Sequence, residues 1–182
     1  MKTIYTASLD KLTKTITFCV PLIFIGAIFI PLIIHIDDPS FNSFKHWISI
    51  IVGILVLIVC GVVYLYRVLR YELNETELII VRPINSLHIP LNSIKGIIKL
   101  TREDMFPGTI RTFGNGGFFG YTGYFWNRAF GTMIFYLTQR KNLILIETLP
   151  KEGKKKGTKS VISPDDIGME GKLIELLKGM KR

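Results

Sequence analysis

Few residues in this chain have types and spacing suited to chemistry, and the first to test is a glycine cluster. In Gly114-Asn115-Gly116-Gly117-Phe118-Phe119-Gly120-Tyr121-Thr122-Gly123, half the residues are glycine. Glycine-rich backbone cradles phosphate when it follows a fixed spacing: Gly-x-Gly-x-x-Gly between a strand and a helix, or Gly-Lys-Ser/Thr closing a Walker loop. Counted from Gly114, the third glycine position is Phe119, and Gly120 is followed by Tyr121 and Thr122. The aromatic residues that follow read as extended chain rather than helix. The spacing therefore predicts a structural role for Gly114, Gly116, Gly117, Gly120 and Gly123: bulged, tightly bent strands whose aromatics cover a core or meet a bilayer interface.

Acid–base and metal chemistry have less support. Glu103 and Asp104 are adjacent, so on a strand their side chains diverge. Asp165 and Asp166 are accounted for by helix capping, and Ser163 has no histidine near it in sequence. Cys19 and Cys60 both fall in apolar segments, and His35, His46 and His88 are scattered, so no metal-ligand spacing arises. No catalytic residue, metal or cofactor is assigned. One cationic cluster stands out, Lys151, Lys154, Lys155, Lys156 and Lys159. Near an anionic leaflet each such group contributes about 1 kcal/mol. The cluster reads either as a contact to anionic phospholipid or as a solvated turn.

The elements that must position these residues begin with two apolar runs. The chain has 182 residues, 48% of them hydrophobic, and a mean hydropathy of +0.36. The excess lies in the first third. Ile16 to Ile34 and Trp47 to Tyr66 run nineteen and twenty residues without a charge, close to the ~30 Å of a bilayer core. The first is too long for a signal-peptide core and no cleavage site follows it. Ser49, Gly53 and Gly61 share a helical face, a small-residue surface that suits helix–helix contact. Three lysines precede the first run, Arg67 and Arg70 follow the second, and Lys45 alone lies between. The positive-inside rule then predicts a membrane hairpin over 16–66, a cytoplasmic N-terminus over 1–15 and a cytoplasmic domain over 67–182.

Net charge is +9, and residues 67–182 hold 19 of the 23 basic and 11 of the 14 acidic groups, a net +8. A basic domain beside a membrane suits anionic headgroups, and no nucleic-acid motif accompanies it. Within it, strands are expected over 71–74, 77–82, 87–90, 95–101, 132–138, 143–148 and 159–162, with a loop over 102–109. Ser163-Pro164-Asp165-Asp166 predicts a helix start with Ser163 as N-cap, and Ile167, Leu173, Ile174 and Leu177 give the helix an apolar stripe.

About seven antiparallel strands closed by one C-terminal helix resemble a pleckstrin-homology (PH) domain. The order of parts is similar to that of bacterial PH-domain membrane proteins of uncharacterised function. The similarity rests on Tyr71-Glu72-Leu73-Asn74, on Leu78 to Val81, on the corner Ile89-Pro90-Leu91 with Ser93-Ile94, on Arg111 to Phe125 with its glycine signature and Gly131, and on Ile162-Ser163-Pro164-Asp165-Asp166. It implies a PH-like sandwich or barrel over 67–182. Together with the apolar runs, it gives a non-enzymatic binding or scaffolding module at the inner-membrane face. The partners expected are the membrane, anionic phospholipid, and a second copy or another membrane protein. Two other readings stand beside this one, a subunit of a larger membrane assembly and a membrane enzyme. PH domains bind phosphoinositides through a basic loop between their first two strands. The matching turn here, Asn74-Glu75-Thr76, is acidic, so the resemblance does not carry that activity over.

Overall fold

A computed structural model describes residues 2–33, 39–150 and 156–180. Two long helices, α1 (Lys11–Ile33) and α2 (Pro39–Leu65), pack against each other. Asp10 starts α1: its carboxylate accepts from Thr13 N at 2.7 Å and its carbonyl from Lys14 N at 2.9 Å, which satisfies donors that a helix start leaves free. Beyond their polar first turns both helices are apolar, and large side chains such as Phe18, Ile23, Phe29, Trp47, Leu57 and Leu65 are exposed. The segment His46–Leu65 is long and apolar enough to cross a membrane, with a mean hydropathy of 3.0 and only 6% of its most apolar window buried. It is the only such helix among the described residues. The first expected span ends at Ile34, outside them.

The remaining elements form two sheets. The first has the order β1 (Thr3–Thr6), β2 (Arg70–Leu73), β3 (Glu77–Val81) and β4 (Leu87–Pro90), all antiparallel. A 3-10 turn at Leu91–Ser93 leads to the second sheet. Its strands, in chain order, are β5 (Ile94–Leu100), β6 (Ile110–Gly116), β7 (Tyr121–Asn127), β8 (Gly131–Leu137), β9 (Leu143–Thr148) and β10 (Lys159–Ile162). In space they run β5-β9-β10-β8-β7-β6. β10 lies parallel to β8 and antiparallel to β9. Helix α4 (Gly168–Met180) closes the chain.

Burial follows the pattern of side chains. Ser160, Val161 and Ile162 of β10 and Leu143 to Ile146 of β9 are all buried, as expected for central strands covered on both faces. One face packs on the first sheet and on Met169 and Leu173 of α4. The other holds Phe125, Met133, Phe135, Leu145 and Val161, plugged by Met105 of the short helix α3 (Arg102–Met105). Tyr71 joins the sheets: its hydroxyl donates to Tyr136 O at 2.6 Å and accepts from Ser163 N at 3.1 Å. Burial pushes this phenol up to about 12.

Three local expectations change. Residues 1–15, read as a polar leader, contain β1, whose Thr3 to Thr6 pair with Leu73 to Arg70. The loop over 102–109 contains α3, held by a capping box in which Asp104 N donates to Thr101 Oγ1 at 3.2 Å and Asp104 Oδ2 accepts from Thr101 N at 2.9 Å. The final helix begins at Gly168, not after Ser163. Asp166 Oδ1 accepts from Gly168 N at 2.7 Å, while Ser163 Oγ accepts from Thr138 N at 3.0 Å and from Gln139 N. Ser163 therefore ties the chain to the turn after β8.

Candidate functional site

The glycine–aromatic stretch folds into the β6–β7 ribbon. Gly114 and Gly123 face each other across it with φ of +107° and +124°. A Cβ on Gly123 would stand 2.4 Å from Phe113 O, so only glycine lets the strands approach this closely. A bulge between Arg111 and Phe113 adds twist. At the tip, Gly117 N donates to Gly120 O at 2.9 Å. The Asn115 side chain spans the turn, donating to Gly120 O at 2.9 Å and to Phe118 O, and accepting from Phe118 N at 3.1 Å.

This tip seats on the ends of the helices. Phe119, held at φ +58°, donates its N–H to Thr17 Oγ1 of α1 at 2.8 Å. Its ring meets Tyr64 of α2 edge-on, with centroids 5.6 Å apart. Arg67 follows α2, and its guanidinium lies 4.3 Å from the Tyr64 ring centre and 5.7 Å from that of Phe119. Arg67 Nε is buried and has no acceptor among the described residues.

Three more arginines surround this exit. Arg82 lies 5.6 Å from the Tyr66 ring and donates to Asn85 O. Arg140 Nε donates to Tyr121 OH at 2.8 Å, and its guanidinium covers Phe106 and Tyr121. Arg111 runs along the ribbon, and a Cβ on Gly116 would stand 2.7 Å from its Nη1. Among the described residues none of the four forms an ion pair. Several carboxylates elsewhere in the domain are partnered, as in Lys2–Glu72–Arg70, Lys99–Glu170 and His88–Glu77. The result is a basic collar at the helix end of the domain.

The glycine signature builds this tip, whereas the predicted lysines that are described fall elsewhere. β9 and β10 run between the helix end and the far end of the sheet, so Lys156 and Lys159 stand about 17 Å along β9 from the collar. Lys156 is exposed, and Lys159 Nζ donates to Phe130 O at 2.9 Å in the turn after β7. Lys151, Lys154 and Lys155 lie outside the described residues. The turn Asn74–Thr76 joins β2 to β3 at the same far end. Ser49 is buried, and a Cβ on Gly53 would meet Ile28 Cδ1 of α1 at 3.5 Å, whereas Gly61 has nothing within 4 Å. Cys19 and Cys60 are free thiols on the helices. Among the described residues no three His, Cys, Asp or Glu side chains gather. A shallow pocket lies beside Lys99, Asn142, Pro164 and Glu170.

In the sequence, Tyr64 lies inside the second apolar run and Arg67 figures only among the charges that orient the hairpin. The available signal was their adjacency, an aromatic at i and a cation at i+3 just past an apolar run. The chain matches a family model described as bacterial PH domain over residues 69–175. No curated protein and no solved structure matches it.

Proposed function

The chain belongs to the bacterial PH domain family, and from that premise we propose a non-enzymatic binding and scaffolding module anchored in the bacterial inner membrane by α1 and α2, with both chain ends cytoplasmic. The observation that carries this reading is the pairing of β1 with β2. The two strands precede and follow the helices yet are neighbours in one sheet, so the chain between them crosses a bilayer an even number of times. The apolar span His46–Leu65 is long enough for one crossing, and α1, packed against it, supplies the return. The positive-inside bias gives the same orientation.

Anionic lipid is the first partner in this reading. The arginine collar stands where the exposed apolar surface of the helices ends, so it serves headgroup contact better than the lysines at the far end. A subunit of a larger membrane assembly is the second reading, favoured by one feature. Ile110, Phe113, Tyr124 and Trp126 form a bare row on the β6–β7 ribbon, beyond the part of the sheet that the first sheet covers, and β6 is an edge strand.

A C-terminal reporter tests the anchored topology. A fluorescent fusion after Arg182 is expected to be bright, a phosphatase fusion inactive, and the chain to stay in the pellet after an alkaline wash. An active phosphatase fusion, or release by the wash, would sink the reading. The mass of the complex in mild detergent separates a lone module from a larger assembly.

A further inference from the structure

We propose that Arg67, held against the Tyr64–Phe119 pair, is the recognition point for one phosphate group; this deepens the membrane reading and rests on it. Four arginines surround the helix exit, and their inner bonds differ. Arg82 and Arg140 donate to Asn85 O and Tyr121 OH, and Arg111 lies exposed along the ribbon. Arg67 is half-buried and makes no hydrogen bond from its side chain to a described residue. Its Nε is closed off inside the fold, so an outside acceptor meets the terminal amino groups, and a charged fork held without a partner at a half-buried site calls for one.

The surroundings select the partner. Tyr64 and Phe119, their rings edge to face, lie against the guanidinium and limit its movement, and a planar fork of N–H donors matches a tetrahedral oxyanion in a bidentate way that an ammonium cannot. Its height on the molecule selects the source. Val62 and Leu65 of α2 and Phe18 of α1 are exposed apolar residues just beyond it, so in a bilayer the guanidinium lies at the level of lipid phosphates. The same chemistry would accept free phosphate.

The test uses the full chain in mild detergent, with bound lipid counted by native mass spectrometry after addition of equal amounts of phosphatidylglycerol and a diacylglycerol of the same chains, which lacks the phosphate. Preferential retention of phosphatidylglycerol is expected. Arg67→Gln is expected to lower that preference about tenfold or more, Arg67→Lys to recover only part of it, and Phe119→Leu to weaken it with every charge kept. Lys178→Gln on α4 serves as the control and is expected to leave the preference unchanged. Displacement of the lipid by inorganic phosphate would assign the site to the phosphate group alone, and resistance to it would assign the site to the headgroup with its chains. A folded Arg67→Lys or Arg67→Gln chain that keeps the wild-type preference overturns the proposal. Because that result comes from chain still extracted with membranes, it leaves the anchored topology standing.

Discussion

Replacing Tyr71 by Phe removes one oxygen and with it two bonds, the donation to Tyr136 O and the acceptance from Ser163 N. Both partners are left inside the joint between the two sheets, where water cannot replace the hydroxyl. The expected loss is about 1–3 kcal/mol, read as a lowered midpoint in thermal unfolding of the full chain. Asp165 makes a second joint. Its carboxylate accepts from Ser8 N at 3.0 Å, from Ser8 Oγ and from Gln139 Nε2 at 3.1 Å. Burial pulls its pKa up, but the hydrogen bonds from Ser8 and Thr6 outweigh burial and leave it below the ordinary carboxylate value. A carboxyl lowered by folding contributes in full above its unfolded pKa, and that contribution disappears as the pH falls through the folded value. Asp165→Asn should therefore destabilise the chain at neutral pH and flatten the acid limb of its stability profile. A parallel limb in the variant would show that Glu72, also lowered, by Lys2 first and then Arg70, dominates acid sensitivity. Residues of this kind were only partly legible in sequence. Asp165 and Asp166 both read as caps, and only the fold separates the one that caps from the one that clasps the N-terminal segment.

At the scale of elements, the β6–β7 ribbon depends on its glycine pair. Gly123→Ala forces a Cβ to within 2.4 Å of Phe113 O at a φ of +124°, a steric conflict and a backbone strain together. The expected cost is roughly 2 kcal/mol or more. Because the ribbon carries Phe119 to Tyr64, hydrogen exchange should speed at Gly117 to Gly120 before it speeds in β9. Equal acceleration throughout would mean that the ribbon is not a separate cooperative unit. The sequence showed β2, β3, β4, β5, β8, β9 and β10 because short runs rich in Leu, Ile, Val and Tyr, bounded by turn residues, mark strands whether one face or both are covered. It showed the bulged ribbon because glycines so dense need a backbone reason. It did not show β1, since Thr3-Ile4-Tyr5-Thr6 is four residues long with its partner more than sixty positions away. The basic collar was hidden for the same reason. Lysines adjacent in sequence are visible as a cluster, whereas Arg67, Arg82, Arg111 and Arg140 become neighbours of one helix exit only after the sheets form.

At the scale of the whole molecule, the domain is complete only with residues that precede the helices. A fragment of residues 67–182 lacks β1 and exposes the edge of β2, whose Tyr71 and Leu73 are fully buried in the intact chain. Such a fragment is expected to self-associate in sedimentation experiments, and an added peptide spanning residues 2–8 is expected to suppress this. A monomeric, stable fragment would show that β1 only decorates the sheet.

That connection makes the two helices a long loop inserted between adjacent antiparallel strands. The register pair nearest the loop is Thr6 with Arg70, and the next is Tyr5 with Tyr71. Two strands pulled apart at their open end come undone like a zipper, one rung at a time and at low force. Any splaying of α1 from α2 therefore loads Thr6–Arg70 first and then the rung that holds the Tyr71 hydroxyl. Lateral tension on the helices is geared directly to the joint between the sheets, and the strand pair acts as a mechanical fuse between the two.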